Sequence, residues 1–220
     1  PFSDIRTGKI EQLIALGRAV IAVPDSYPIA PREIRALQKW VEKGGMVLRF
    51  AGARLARSTH DKLVPVPLRR GGRILGGAMR WSKPANLASF GRKSPFFGLT
   101  PNPEIIIKRQ VLAQPSLDLG EKTWARLSDG TPLVTADRRG KGWLVLVHTT
   151  AGTRWSTLPL SGLFVDMLRR IVAVSRGVAG DRSAGLPLAP VTSLDGFGNL
   201  VTPTPVAQAI KSKAFEKTAI

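Results

Sequence analysis

Cysteine is absent from the 220 residues, and histidine occurs only at positions 60 and 148. The first absence excludes disulfides, Cys-ligated zinc, iron–sulfur clusters and a thiol nucleophile. The second excludes a site built from several imidazoles; no metal and no cofactor is expected here. No stretch reaches ~18 apolar residues free of charge, the length a membrane-spanning helix needs. Acidic side chains are scarce: Asp and Glu total 15 against 33 Lys and Arg, a net charge of +18. Between Lys62 and Asn102 there is no acidic residue. Eight basic ones stand there: Lys62, Arg69, Arg70, Arg73, Arg80, Lys83, Arg92 and Lys93. Arg138, Arg139 and Lys141 form a second cluster. Such a surface attracts polyanions and acidic membrane surfaces, and its simplest reading is a solvated basic face. Nucleic acid is not the expected partner, because no reading motif is present and few aromatic residues interleave with the basic ones.

What is present is globular in composition, with 43% hydrophobic and 22% charged residues. The chain opens at Pro1 without Met, which reads as a segment of something longer. Residues 9–17 carry Ile10, Leu13, Ile14 and Leu16 at helical spacing and stop at Gly17. Ala19–Val23 is a short apolar run closed by Pro24-Asp25, the pattern of a buried strand. Pro31 suits the first turn of a helix, Ile34, Leu37, Trp40 and Val41 give its apolar stripe, and Gly44-Gly45 ends it. Met46–Phe50 is the next strand, so this strand–helix–strand unit implies a right-handed parallel crossover.

Residues 53–120 are less regular and read as an insertion carrying antiparallel strands. Gly71-Gly72 and Gly76-Gly77 read as turns around Arg73–Leu75, Met79–Trp81 as a strand, and Glu104–Leu112 as a longer one with Ile105–Ile107 β-branched. Ser94–Gly98 reads as a compact aromatic turn. From Thr123 to His148 the Asp129-Gly130 and Gly140-Lys141-Gly142 signals predict a meander of hairpins. A second helix, 158–175, buries Leu160, Phe164, Met167, Leu168, Ile171 and Val174. Residues 177–220 are rich in Gly, Pro, Ser and Thr and read as a tail or linker, with Leu194–Gly198 the spot expected to dock.

Candidate chemistry gathers at the strand ends, where α/β ligand sites lie. Asp25 follows the first strand; a turn or capping role competes with a ligand role. Arg49 sits inside a buried strand and needs a partner, for which Asp25 is a candidate. His60 with Asp61 reads as surface. Gly140-Lys141-Gly142 is no phosphate loop, since it lacks the spacing and precedes a strand. Ser156 and Ser161 read as helix caps. Trp81, Trp124 and Trp143 read as core, and Trp155 as packing the start of the second helix.

Pro31–Gly45 followed by Met46–Gly52 resembles the class I glutamine-amidotransferase-like superfamily. The pieces RFAGARLA (49–56), LVPVPLRRGGRILGGAMRW (63–81), SPFFGL (94–99), RQVLA (109–113), TWARLSDGTPLVTADRRGKG (123–142), WSTLPLSGLFVDMLRR (155–170) and SLDGFGNL (193–200) resemble the middle segment of large alphaproteobacterial membrane proteins. In those, a BatA-like amino-terminal region and a carboxyl-terminal DUF4159 domain flank such a module. The resemblance implies a three-layer, flavodoxin-like or amidotransferase-like α/β fold with a mainly parallel central sheet. Its strands would be 19–23, 46–50 and 143–148, in a single domain of residues 1–176. It also places Phe50 at the nucleophile position and Thr150 where the orienting Glu would stand, leaving His148 alone of the triad. A phenyl ring cannot attack carbon, so no glutamine hydrolysis is expected.

The expected function is therefore a non-catalytic interaction or ligand-sensing module, a soluble domain of a bacterial inner-membrane protein. Its ligand-binding candidates are Asp25, Arg49, Arg54 and His148. Its partners would be other domains of the same parent chain, an envelope protein or an anionic membrane surface. Two alternatives stand beside it: an unusual hydrolase with His148 as base and Asp25 or Asp137 assisting, and polyanion binding by the basic face.

Overall fold

Val20–Val23 (β1) and Met46–Phe50 (β2) lie side by side and parallel, Val20 opposite Met46 and Val23 opposite Arg49. The computed structural model describes residues 10–58, 61–74 and 85–175, and the backbone of 193–194 and 200–201. His60, Gly76-Gly77, Met79–Trp81 and Asp195–Gly198 lie outside the described residues. The chain divides into two units, Pro1–Gly177 and Val178–Ile220. In the second, Ser193–Leu194 pairs antiparallel with Leu200–Val201.

Between β1 and β2 runs a helix, Pro31–Glu42 (α2), preceded in the chain by the short Ile10–Ala15 (α1). Proline at the first position of α2 gives up an N–H that would have been orphaned there anyway. The Glu33 carboxylate reaches back to accept from the Ala30 N–H at 2.8 Å. Gly44, at φ +117°, releases the chain toward β2. A five-residue helix follows β2, Ala53–Arg57 (α3). Leu68–Ile74 (β3) and Arg109–Ala113 (β4) form a separate two-stranded antiparallel sheet, a hairpin only in the wide sense since its strands lie far apart in the chain. Thr123–Arg126 (β5), Pro132–Arg139 (β6) and Gly142–Val147 (β7) make the meander, and Gly162–Val174 (α4) follows.

The main sheet has the order β1-β2-β7-β6-β5. Its β1, β2 and β7 run parallel, while β6 and β5 are added antiparallel. The fold is thus α/β around a mixed sheet, parallel at one end, and not mainly parallel throughout. Within the sheet β1 is an edge strand and β7 is central. One face buries Ile21, Val23, Val47 and Leu144 against Leu37, Trp40 and Val41 of α2 and Ile10 and Leu13 of α1. The other buries Met46, Leu48, Phe50, Val145 and Val147 against Met167 and Ile171 of α4. A third cluster joins α3, through Leu55 and Ala56, to Leu68 and Val111 of the hairpin and Leu146 of the sheet.

Several expectations give way to packing. Gly71-Gly72 is no turn: the strand continues through it with a bulge, the register shifting between Leu68 and Gly72. The run Ile105–Ile107 is not strand. Ile105 and Ile107 are buried, but Ile107 makes only single bridges, to Ala85 and Ser156, and Ile106 N–H bonds Thr157 Oγ1 at 2.9 Å. The second helix begins at Gly162. Leu158–Leu160 before it is a 3₁₀ turn holding Pro159, and Ser161 caps α4 through Oγ, which accepts from Phe164 N–H at 3.2 Å. Ser156 caps nothing; its buried Oγ has no hydrogen-bond partner among the described residues. Trp124 packs tilted against Trp143, centroids 5.4 Å apart, and edge-on to the fully buried Phe96 of the aromatic turn.

The β6–β7 turn abuts the end of α2. A Cβ on Gly142 would overlap the carbonyl oxygens of Val41 and Gly45. Gly142→Ala should lower stability by about 1–3 kcal/mol. Gly91→Ala, with open space around it, should stay within about 0.5 kcal/mol. Urea unfolding midpoints measure both.

Candidate functional site

His148 directly follows β7 and is fully buried. Its Nδ1 lies 2.6 Å from the Val111 carbonyl oxygen. A carbonyl only accepts, so Nδ1 carries the proton and donates. Nε2, 2.9 Å from Thr135 Oγ1, is then the acceptor for that hydroxyl. Main-chain bonds duplicate the link: Val111 N–H donates to His148 O at 2.9 Å, and His148 N–H to Leu133 O at 2.8 Å. Burial pushes the imidazole down to about 4, against the upward pull of the Val111 carbonyl. The ring is neutral, and both its nitrogens are engaged.

Phe50 points the other way. It pairs in register with Val147, and both belong to the core beneath α4, where the Phe50 ring lies 6.1 Å from that of Phe164. Alternation along β7 turns His148 to the opposite face, with Leu146 and Thr135. The expected grouping of Phe50 with His148 therefore does not form: neighbouring strand ends carry them to opposite sides of the sheet. Thr150 Oγ1 donates to Gly152 O at 3.3 Å, within its own turn.

Asp25 behaves as a helix cap. Its two carboxylate oxygens accept from the backbone N–H groups of Arg54 and Leu55, at 2.8 and 2.9 Å, closing the first turn of α3 from another loop. Gly52 allows this approach, since a Cβ there would sit 2.5 Å from Asp25 Oδ2. Arg54 thus contributes its backbone, while its side chain is exposed. Arg49 does find a carboxylate, but it is Asp61 and not Asp25, with Nη1 2.5 Å from Oδ2. Asp61 is further fixed by the Leu63 N–H at 2.8 Å. Asp137 pairs with Arg139 at 2.9 Å and Lys122 at 3.5 Å. Of the sequence candidates, Asp25 and Arg54 meet at the α3 cap, while Arg49 and His148 each take separate structural partners.

A concavity lies elsewhere, between α3 and the β3–β4 hairpin. This cleft of about 510 Å³ is lined by Arg57, Arg70, Arg73 and Arg109, with Trp155, Ala53, Ala56 and Gly71-Gly72. Arg73 pairs with Asp129 at 2.7 Å. Burial raises the Asp129 carboxyl, but bonds from Thr131 and Arg73 outweigh it and hold the group below its usual value. Thr131 Oγ1 also meets the fully buried Gln110 at 3.2 Å, so a polar chain runs from the cleft into the hairpin base. Sequence reasoning passed over this cleft because Arg57, Arg70, Arg109 and Trp155 are far apart in the chain. The run of basic residues without an acid was the available signal for Arg70 and Arg73.

No family model matches the chain, and no curated protein matches it. Solved structures do. Cytoplasmic Protein STM3548 from Salmonella typhimurium is similar at 14% identity and TM-score 0.57, with 76% of this chain and 74% of that one covered. Cytoplasmic Protein STM1381 from Salmonella typhimurium LT2 follows at 13% and 0.56, covering 75% and 74%. A cold-adapted β-galactosidase from Rahnella sp. R3 is similar at 14% and 0.50, but 80% of this chain matches only 25% of that one. At such identities the likeness is one of fold. Among the described residues no helix is long and apolar enough to cross a membrane.

The depressed His148 makes stability depend on pH. The unfolded imidazole takes its proton near 6.5 and the folded one only near 4. Its contribution is complete above pH 6.5 and is lost as the pH falls toward 4, by about 3 kcal/mol in all. Unfolding free energy measured from pH 7 to 4.5 should fall, and His148→Gln should flatten that slope. Asp25→Ala strips two N–H groups of their acceptor and should cost about 1–2 kcal/mol in the same assay.

Proposed function

We propose that the unit holding residues 10–175 is a non-catalytic interaction or ligand-sensing module of a larger membrane-associated bacterial protein. We further propose that its fold is of the flavodoxin-like, class I glutamine-amidotransferase-like kind. The state of His148 carries the first reading. A general base needs a free lone pair within reach of its substrate. The Nδ1 proton of His148 is committed to Val111 and its Nε2 lone pair to Thr135, in a fully buried position. The hydroxyl beside it, Thr135 Oγ1, is as fully buried as the ring, and Phe50 lies in the opposite face's core. The strand-end groups Asp25 and Arg49 are occupied by a helix cap and an ion pair.

Polyanion binding is the second reading, favoured by the net charge of +18 and by the four arginines around one cleft. Both readings make the basic side of the molecule its working surface.

The test is turnover. The 220-residue chain should release ammonia from glutamine, and product from activated esters, only at background rates. A rate above background that vanishes in His148→Gln, with the melting transition retained, would overturn the non-catalytic reading.

A further inference from the structure

Three of the four guanidinium groups around the cleft, those of Arg57, Arg70 and Arg109, are exposed and have no ion pair among the described residues. Among the described residues no carboxylate lines the space with them. Like charges gathered in one cavity repel, so the arrangement works against the fold unless an anion completes it. Apolar packing holds the walls in place: Leu55 and Ala56 of α3 meet Leu68 and Val111 of the hairpin beneath the arginines. The bulge in β3 places Arg70 outside the regular pairing, while Arg109 stands opposite Ile74 across the hairpin.

We propose that this cleft binds a small phosphorylated organic molecule, a phosphate or diphosphate ester. The phosphoryl oxygens would meet Arg57, Arg70 and Arg109, and the organic part would lie along Trp155. The proposal rests on the ligand-sensing reading and names its ligand class. A carboxylate presents two oxygens, enough to engage one guanidinium fork fully; three unpaired forks call for a group with three or more anionic oxygens. At about 510 Å³ the cleft has the size of a small-molecule site and holds more than an inorganic ion. The surplus is bounded by Trp155, Ala53 and Ala56, surfaces suited to a ring or sugar. Arg73 is already held by Asp129 and serves as a wall tied to the β5–β6 turn.

The experiment is calorimetric titration of the 220-residue chain at fixed moderate salt. The probes are a nucleoside 5′-diphosphate, inorganic pyrophosphate, an aryl sulfate, succinate and long-chain polyphosphate. The nucleoside diphosphate should bind more tightly than pyrophosphate, and both more tightly than the sulfate ester and succinate. Arg70→Ala and Arg109→Ala should each weaken it roughly ten- to a hundredfold. Trp155→Ala should remove its advantage over pyrophosphate, whereas Arg35→Ala and Arg170→Ala, away from the cleft, should leave affinity within about twofold. Melting curves of every variant report folding separately. Equal losses in all arginine variants, or affinity rising with polyphosphate length, would overturn the cleft in favour of a diffuse polyanion surface. Succinate or the aryl sulfate binding as tightly as the nucleoside diphosphate overturns the phosphate assignment. Absence of binding without turnover overturns the cleft alone, while hydrolysis of a bound probe overturns the non-catalytic reading and leaves the cleft standing.

Discussion

A hairpin laid across the face of a sheet has to satisfy the backbone groups it buries. Here that requirement falls on one residue pair. Val111, in the middle of β4, gives its N–H to the carbonyl of His148 and takes the His148 ring proton on its own carbonyl. The far ring nitrogen accepts from Thr135 on β6. One imidazole therefore ties three strands from two sheets. Burial keeps the ring neutral, and with Nδ1 donating to Val111 the Nε2 lone pair takes the Thr135 hydroxyl proton. Full burial, with Nε2 taken by Thr135 Oγ1, keeps the ring's lone pair away from solvent.

The clip has consequences at a distance. With β4 fixed, β3 is fixed beside it, and the hairpin's inner side packs on α3 through an apolar cluster. The outer side of that junction is the arginine cleft. Helix α3 is short, and its first turn depends on Asp25 from the loop after β1. Nearby, Arg49 carries a charge into the sheet and is matched by Asp61. Desolvation offsets much of the attraction of a pair buried to this extent. Cap and imidazole clip thus hold the elements that form the cleft without lining it.

Local pattern was enough for the elements whose burial is decided within a few residues. The helix beginning at Pro31 and ending before Gly44-Gly45, the strands around Val20–Val23 and Met46–Phe50, and the hairpin turn at Gly140 are all written in apolar spacing and glycine placement. The insertion resisted, because its elements answer to partners far along the chain. Ile105–Ile107 has the composition of a strand, yet its neighbours offer single bridges in place of a ladder. Gly71-Gly72 looks like a turn, yet β4 keeps the strand running through it. Asp25 could be recognised as either a cap or a ligand, and only the position of α3 decides for the cap.

By itself the sequence determined what chemistry is out of reach and the sign of the protein's net charge. Without cysteine, with two histidines and with a net charge of +18, thiol catalysis and polyhistidine metal sites are excluded and an excess of positive charge is fixed. Composition suffices there, because those conclusions depend on which atoms exist. Tertiary structure alone decided which groups meet. It turned His148 and Phe50 to opposite faces, gave Arg49 to Asp61, and drew Arg57, Arg70 and Arg109 around one cleft. Strand alternation and long-range pairing set those meetings, and both depend on a register that no short window of residues contains.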